Sequence, residues 1–212
     1  EGDDALSILE FANVELLEMR TLDDQLDGAL SRRLQLGIYP GRLDTNALFF
    51  NRRHDTPPGG AIVVGLGQVG ELSPGLLESG VRAALLDYAL QVSQWPNARF
   101  GPEDHPRFGP EDHPRRASVS CLLVGTGAAA LTVRDSIEAI LRAALATNAR
   151  LVECELHHKV TIDRLEFIEL FADIALGAAE ALSAILLNED IAARVRWAAQ
   201  VVESGQAGRY RV

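Results

Sequence analysis

Two glycine-rich turns are the positions at which this sequence could bind a ligand. Each follows a short apolar run, 61–64 or 119–124, that predicts a buried strand. Glycine and alanine let a ligand approach the backbone closely, and the start of a following helix offers unpaired N–H groups to an anion. Both turns are therefore candidate sites for a phosphate-bearing ligand. The candidate ligand-binding residues are Gly65, Leu66, Gly67, Gly125, Thr126, Gly127, Ala128, Ala129 and Ala130.

The first turn has the formal pattern GxGxxG of dinucleotide-binding proteins, but its context differs from theirs. The next helix is predicted to begin at Ser73–Pro74, beyond the third glycine, whereas a dinucleotide fingerprint opens its helix inside the motif. Asp87, at the spacing of the ribose-binding acid, falls within that helix instead of at a strand end. For the second turn the alternative is a tight strand-to-helix connection in which the glycines relieve strain.

The histidines and carboxylates form no recognisable catalytic or metal-binding pattern. His157 and His158 are adjacent, so their side chains cannot share one face of a helix or strand. Neither HExxH, nor GxSxG, nor a P-loop occurs. The sequence therefore predicts no catalytic residue, no metal site and no cofactor.

Length, composition and net charge limit the domain number and the classes of binding partner that we expect. A length of 212 residues predicts one domain, and 47% hydrophobic residues allow a sizeable core. The net charge of −10 repels phosphate backbones and anionic lipids, so we expect no nucleic-acid or membrane partner. The isolated arginine pairs 32–33, 52–53 and 115–116 are interpreted as solvated surface. Cys121 is expected in the core, and the absence of a disulfide framework favours the cytoplasm.

The chain begins without Met, which predicts that residues 1–212 are a single domain excised from a larger multidomain protein. Residues 95–117 are polar and proline-rich and predict a surface loop. This loop holds two tandem copies of FGPEDHPR, which we interpret as a tolerated insertion without chemistry.

The predicted elements alternate between strand and helix. Strands are expected at 6–14, 46–50, 61–64, 119–124 and 160–170, and helices at 22–36, 74–92, 132–147, 172–187 and from 188 to about 205, whereas 151–156 is ambiguous. This order predicts an α/β fold with a mixed, mainly parallel sheet covered on both faces by helices. The runs near 62 and 122 are expected side by side at its centre, with their glycine ends sharing one rim.

Residues 22–90 resemble a known family. The segments LDDQLDGALSRRLQLGIYPGRLDTNALFF and GGAIVVGLGQVGELSPGLLESGVRAALLDYAL are similar to the N-terminal macro-like domain of leucine aminopeptidases. The segment LLVGTGAAALTVRDSIEAIL, from Leu122, resembles the later strand, glycine loop and helix of macro domains. Similar segments occur within large bacterial multidomain proteins that carry CHAT (caspase-like) protease domains. The positions that carry the first likeness are Asp24, Leu26 or Leu30, Gly28, Gly37, Gly41, Gly65–Gly67 and Glu71–Pro74.

The resemblance implies a three-layer macro-like (Rossmann-like) fold and orders the functional hypotheses. The first is a non-catalytic module for assembly or regulation, whose partners are other domains of the same bacterial protein or of a partner protein. The alternative is a binding module for ADP-ribose or a related nucleotide, because the later glycine loop wraps diphosphate in the binding members. A more distant alternative is a divergent ADP-ribosyl hydrolase. The asparagine-rich strand end and Gly-Asp-Ile element that contact ADP-ribose in macro domains have no clear match here.

Overall fold

The strands form two separate sheets. A computed structural model describes residues 6–12, 22–51, 59–95, 114–124, 131–169 and 172–202. Within these residues, one sheet is entirely parallel and has the strand order β4–β5–β1–β6, and the other is an antiparallel pair of β2 and β3. The α/β class and the mainly parallel pairing are thus confirmed. The strands are β1 (Leu6–Ala12), β2 (Asn46–Phe50), β3 (Gly60–Val64), β4 (Arg115–Leu122), β5 (Val160–Ile168) and β6 (Val195–Val202).

Polar side chains begin three of the helices at the predicted positions. The hydroxyl of Ser73 accepts the N–H of Leu76, Thr132 forms a reciprocal capping box with Asp135, and the Asn188 side chain accepts the N–H of Asp190. The helices are α1 (Ala29–Gln35), α2 (Pro74–Ser93), α3 (Val133–Glu153), α4 (Ala172–Ile185) and α5 (Glu189–Ala192).

The main core lies between one face of the parallel sheet and helices α2, α3 and α4. Ile162, Leu165 and Phe167 of β5 point into it, and the alternation of faces along the strand is interrupted once, between Ile162 and Leu165, where the pairing with β4 shifts register. Helix α3 is the central helix, since it packs against both α2 and α4. The buried side chains that meet there include Leu85 of α2, Ile137, Leu141 and Ala144 of α3, Ala178 and Leu182 of α4, and Ile162, Leu165 and Phe167 of β5.

The two apolar runs near positions 62 and 122 do not lie side by side in one sheet, so that expectation is wrong. β3 pairs with β2 in a hairpin, and β4 is the edge strand of the parallel sheet. The physical reason is the connection 51–59, which is shorter than the dozen or more residues that a parallel crossover requires. A short apolar run favours burial, but its composition does not distinguish a parallel from an antiparallel partner.

The parallel sheet is not covered by helices on both faces along β4. Ala117 of this strand is buried under the helices, whereas Arg116, Ser118 and Ser120 on the opposite face are exposed. The expected cover of both faces is therefore absent at the described residues of the edge strand, and we call this surface the open face.

Helix ends depart from the predictions in three places. Helix α3 continues to Glu153, which resolves the ambiguous stretch 151–156. The predicted helix 22–36 is interrupted at Asp27 and Gly28, both of which have positive φ. The helix predicted from 188 to 205 ends at Ala192, and β6 follows. β6 pairs with β1 along the sheet, so pairing with a distant segment, not local propensity, decides the conformation of β6.

Two charged side chains bind helix ends, and one of them, Arg115, belongs to an arginine pair interpreted above as solvated surface. The Asp23 carboxylate accepts the N–H of Leu30 at 2.9 Å and the hydroxyl of Ser31, at the start of α1. The bond from the Ser31 hydroxyl, with those from the backbone N–H groups, lowers the pKa of Asp23. At the end of α2, the Arg115 guanidinium donates to the carbonyls of Val92 and Trp95.

Some predictions fall on residues outside the described ranges. These include the cap at Thr21, the arginine pair 52–53, the turn 125–130 and the helix stop at Gly205. The duplicated octapeptide also lies outside them, except for Pro114 and Arg115. From Arg115 onward the predicted loop 95–117 is strand β4.

A single amide side chain joins α3 to the sheet. Asn148 donates to the carbonyl of Ile162 at 2.8 Å and accepts the N–H of the same residue at 2.9 Å. Both groups lie in a partly buried region, where an unpaired backbone group is costly. The Asn148 side chain therefore makes the two backbone hydrogen bonds with Ile162 that a neighbouring strand would otherwise make.

We expect Asn148→Ala to lower the free energy of unfolding by about 2–4 kcal/mol, since both backbone groups of Ile162 lose their partner. Urea denaturation followed by circular dichroism measures the change. Arg150→Ala is the matched control on the same helix, because its ion pair with Glu153 joins two exposed side chains that water and salt screen, so that its loss should change the stability little. Equal losses in the two variants would contradict the assigned role of Asn148.

Candidate functional site

The first glycine turn packs against the chain's own loop 41–45. The N–H of Gly65 donates to the carbonyl of Thr45 at 2.7 Å, and the N–H of Gly67 donates to the carbonyl of Gly41 at 2.9 Å. These are the kind of donors that a diphosphate would need from the turn. In this structure they are satisfied within the protein.

Glycine is required in this turn for close approach to the protein itself. A Cβ on Gly65 would lie 2.0 Å from the carbonyl oxygen of Arg42. Gly67 has a φ of +73°, and a Cβ there would lie 2.8 Å from the Leu43 side chain. Close approach to the backbone thus occurs at these glycines, but loop 41–45 of the protein itself occupies the adjacent space.

A carboxylate completes the turn. Glu71 accepts the N–H of Gln68 at 2.8 Å through Oε2, and a Cβ on Gly67 would lie 2.9 Å from the same oxygen. The carboxylate thus binds a backbone donor of the turn that an external anion would use. Its negative charge at this position also opposes the binding of a second anion.

The second turn, 125–130, lies outside the described residues, but the residues on both sides of it are described. Val124 before the turn and Leu131 after it pack in one apolar cluster with Leu66 of the first turn. The structure therefore brings the flanks of the two glycine turns together, although their strands belong to different sheets. Leu72 and Leu77, at the start of α2, complete the contact.

A cleft of about 220 Å³ lies beside this cluster, between the first turns of α2 and α3. Three carboxylates and one guanidinium line it, and the guanidinium of Arg142 is held by Glu138, with nitrogen–oxygen distances of 3.0 and 2.7 Å. The net negative charge of the lining disfavours a phosphate. The lining residues are Pro74, Gly75, Glu78, Asp135, Glu138, Ala139 and Arg142.

The helix starts at this cleft have internal acceptors for their N–H groups. The Asp135 N–H donates to the Thr132 hydroxyl at 3.0 Å, and the Asp135 carboxylate accepts the N–H and the hydroxyl of Thr132. Leu76 donates to the hydroxyl of Ser73. An anion at either helix start would have to replace these capping groups, which contribute about 1 kcal/mol each.

Among the described residues, the cysteine and histidine side chains occupy unreactive or exposed positions. Burial, and secondarily the Glu166 carboxylate, raises the pKa of the Cys121 thiol to about 12. Its sulfur lies 3.4 Å from the carbonyl oxygen of Glu166, and its side chain packs against the main core as predicted. Cys154, His157 and His158 are exposed, and the two imidazole rings meet edge to face.

Among the described residues, no three His, Cys, Asp or Glu side chains are arranged to hold a metal ion. None of the helices described there combines the length and the apolar character that crossing a bilayer requires. No protein-family model matches the chain, and no curated protein matches it significantly.

Replacing Gly65 tests whether the first turn is closed by the protein itself. We expect Gly65→Ala to destabilise the fold by about 1–3 kcal/mol, because the new methyl group meets backbone. Gly75→Ala is the matched control in the first turn of α2, where a Cβ would meet nothing within 4 Å. The control should gain about 0.4–1 kcal/mol. Thermal unfolding compares the two, and a Gly65→Ala protein as stable as the parent would contradict the packing described.

The two thiols should differ in reactivity. With a pKa of about 12, Cys121 holds almost no thiolate at pH 8, so iodoacetamide should modify only Cys154 in the folded protein. Mass spectrometry counts one adduct under native conditions and two after denaturation in guanidinium. Two adducts on the folded chain, formed at similar rates, would show that Cys121 is accessible and ionised.

Proposed function

We propose that this chain is a non-catalytic, macro-like module that serves assembly or regulation within a larger bacterial protein in the cytoplasm. One observation carries the proposal: the backbone donors that would receive an anion at the first glycine turn and at the helix starts bind groups of the chain itself. The acceptors include the carboxylates of Glu71 and Asp135. Such a site stabilises the fold and leaves few backbone N–H groups to bind a diphosphate.

A role in assembly is supported by apolar side chains at the end of α1. Leu34, Leu36 and Ile38 are 67%, 71% and 57% exposed, and Tyr39 follows them. Contiguous exposed apolar residues are typical of surfaces that contact another protein. The guanidinium of Arg33, on the same helix, lies over the Phe49 ring and thus ties α1 to the hairpin.

The three-layer architecture is part of the proposal. The resemblance of residues 22–90 to the aminopeptidase macro-like domain supports it, together with the parallel sheet and the helices on one face. In such a fold the open face is the surface that a further layer would cover.

Binding of ADP-ribose or a related nucleotide is a second candidate, favoured by one observation. Residues 125–130 connect the end of β4 to the start of α3, and ligands of parallel sheets bind beyond the carboxyl ends of strands. The glycines and alanines of this segment would let a ligand approach its backbone closely.

Titration calorimetry with ADP-ribose distinguishes the two candidates. We expect no heat of binding up to millimolar ligand, because the described donors are occupied and the adjoining cleft is acidic. A micromolar dissociation constant that is lost in Gly127→Trp would overturn the proposal in favour of the nucleotide module. Gly59→Trp, at an exposed position where a Cβ would meet nothing within 4 Å, is the control for nonspecific effects of the large side chain.

A further inference from the structure

Helix α4 has one side in the main core and the opposite side exposed. The buried side chains of the inner side are Ala175, Ala178, Leu182 and Ile185. The exposed side chains of the outer side, including one just beyond the helix, are Leu176, Glu180, Ser183 and Leu187. We call these four exposed residues the α4 stripe.

The α4 stripe has the spacing of residues that pack between two helices. Its members are separated by four, three and four residues, and at 3.6 residues per turn they fall within an arc of about 60°. The helical turn extends to the last member, because the N–H groups of Leu186 and Leu187 donate to carbonyls of the preceding turn at 3.0 and 3.4 Å. Alternating steps of three and four residues mark the positions at which paired helices interlock.

The two leucines at the ends of the α4 stripe are largely in contact with solvent. Leu176 is 58% exposed and Leu187 is 83% exposed. They lie about 16 Å apart along the helix axis. Burial of apolar side chains is favourable, so a partner that lies along the helix and covers both leucines gains the most from the contact.

The α4 stripe is complementary to a reversed copy of itself. A two-fold axis at the midpoint of the stripe places Leu176 of one copy opposite Leu187 of the other. The same axis places Glu180 opposite Ser183, so the single charge of each stripe faces a hydroxyl and not another carboxylate. The Ser183 hydroxyl donates to the Ala179 carbonyl at 2.9 Å within one chain, and by rotating it can donate to the facing carboxylate.

Small residues beside the α4 stripe allow a second helix to approach closely. Ala179 and Ala184 flank the stripe on its two sides, and the same two-fold axis places one opposite the other. Helix axes can then come within about 8–10 Å, where side chains of one helix fit between those of the next. The carboxylate of Glu180 near the middle of the stripe makes a lipid surface an unfavourable occupant.

We propose that the chain associates with a second copy of itself through the α4 stripe, with the two helices antiparallel about a two-fold axis. Each copy supplies the same four residues, and the order of leucines and polar residues is the same from either end. One helix pair is smaller than the interfaces of stable complexes, which bury about 1,200–2,000 Å². The dimer therefore forms and dissociates with protein concentration. This inference rests on the proposed assembly role and names a second copy as one partner.

Sedimentation equilibrium of the full chain tests the association. The mean mass should rise from that of a monomer toward that of a dimer between about 10 and 500 µM protein. Leu176→Asp should weaken the dimer by roughly tenfold or more, because the new carboxylate would face Leu187 of the second copy. Leu36→Asp is the matched control, since Leu36 is 71% exposed but lies at the end of α1, and it should dimerise as the parent does.

Cysteine cross-linking tests the antiparallel register. Leu176→Cys and Leu187→Cys are made separately in a Cys154→Ser background, which removes the other exposed thiol. A mixture of the two proteins should form a disulfide-linked dimer on a nonreducing gel. Leu176→Cys alone should form none, because its two thiols would lie about 16 Å apart along the paired helices, beyond the reach of a disulfide.

Several results would overturn the inference. These are a monomeric mass at every concentration, a dimer that Leu176→Asp leaves intact, or a cross-link that Leu176→Cys chains form with one another as readily as in the mixture. A monomer that binds phosphatidylcholine vesicles, and loses this binding in Leu176→Asp, would assign the stripe to a lipid surface. Leu176→Ser, which adds no charge, should also weaken the dimer, and circular dichroism of each variant separates loss of association from loss of folding. A monomeric chain leaves assembly with other domains standing, whereas heat with ADP-ribose contradicts the assembly role without bearing on the mass.

Discussion

Burial of helix α3 is the constraint on which the rest of the structure depends. Ile137, Leu141 and Ala144 have no exposed surface, and they lie where the sheet and helix α4 meet α3. Another side of the same helix, at Ala139, contacts Leu77 of α2. Small alanines at these positions let the neighbouring helices approach closely. Because Leu131 lies just before the start of α3, the packing of this helix also fixes Leu131 relative to Leu66 of the first turn.

Backbone N–H groups at glycine turns and helix starts can either stabilise the fold or bind a ligand. The identity of the hydrogen-bond acceptor distinguishes the two cases. Glycines that allow close backbone approach, and helix starts that offer N–H groups, are found at many phosphate-binding sites. Here the acceptors of the corresponding N–H groups belong to the protein itself, namely to loop 41–45, Glu71 and Asp135. The motif alone does not distinguish the two cases, because it specifies the donors and says nothing about their partners.

Local signals were sufficient for most of the secondary structure and insufficient for its assembly. Ser73, Thr132 and Asn188 mark helix starts because a short polar side chain satisfies an N–H group within three residues. By contrast, the pairing of β3 with β2 and the strand state of β6 depend on contacts between distant segments. The capping by Asp23 and the amide bonds of Asn148 were missed for the same reason, since each partner lies at least seven residues away. In the candidate site, the need for glycine at position 65 was predictable, and the loop that fills the space was not.

The separate β2–β3 hairpin has a consequence for how the molecule opens. A two-stranded sheet has little stability of its own, so this hairpin relies on α1 at one face and on α2 at the other. It can detach by releasing those two contacts while the parallel sheet keeps every strand-to-strand hydrogen bond. We therefore expect amide protons of the hairpin to exchange with solvent through a smaller opening than those of β5, so that the hairpin would separate before the parallel sheet unfolds.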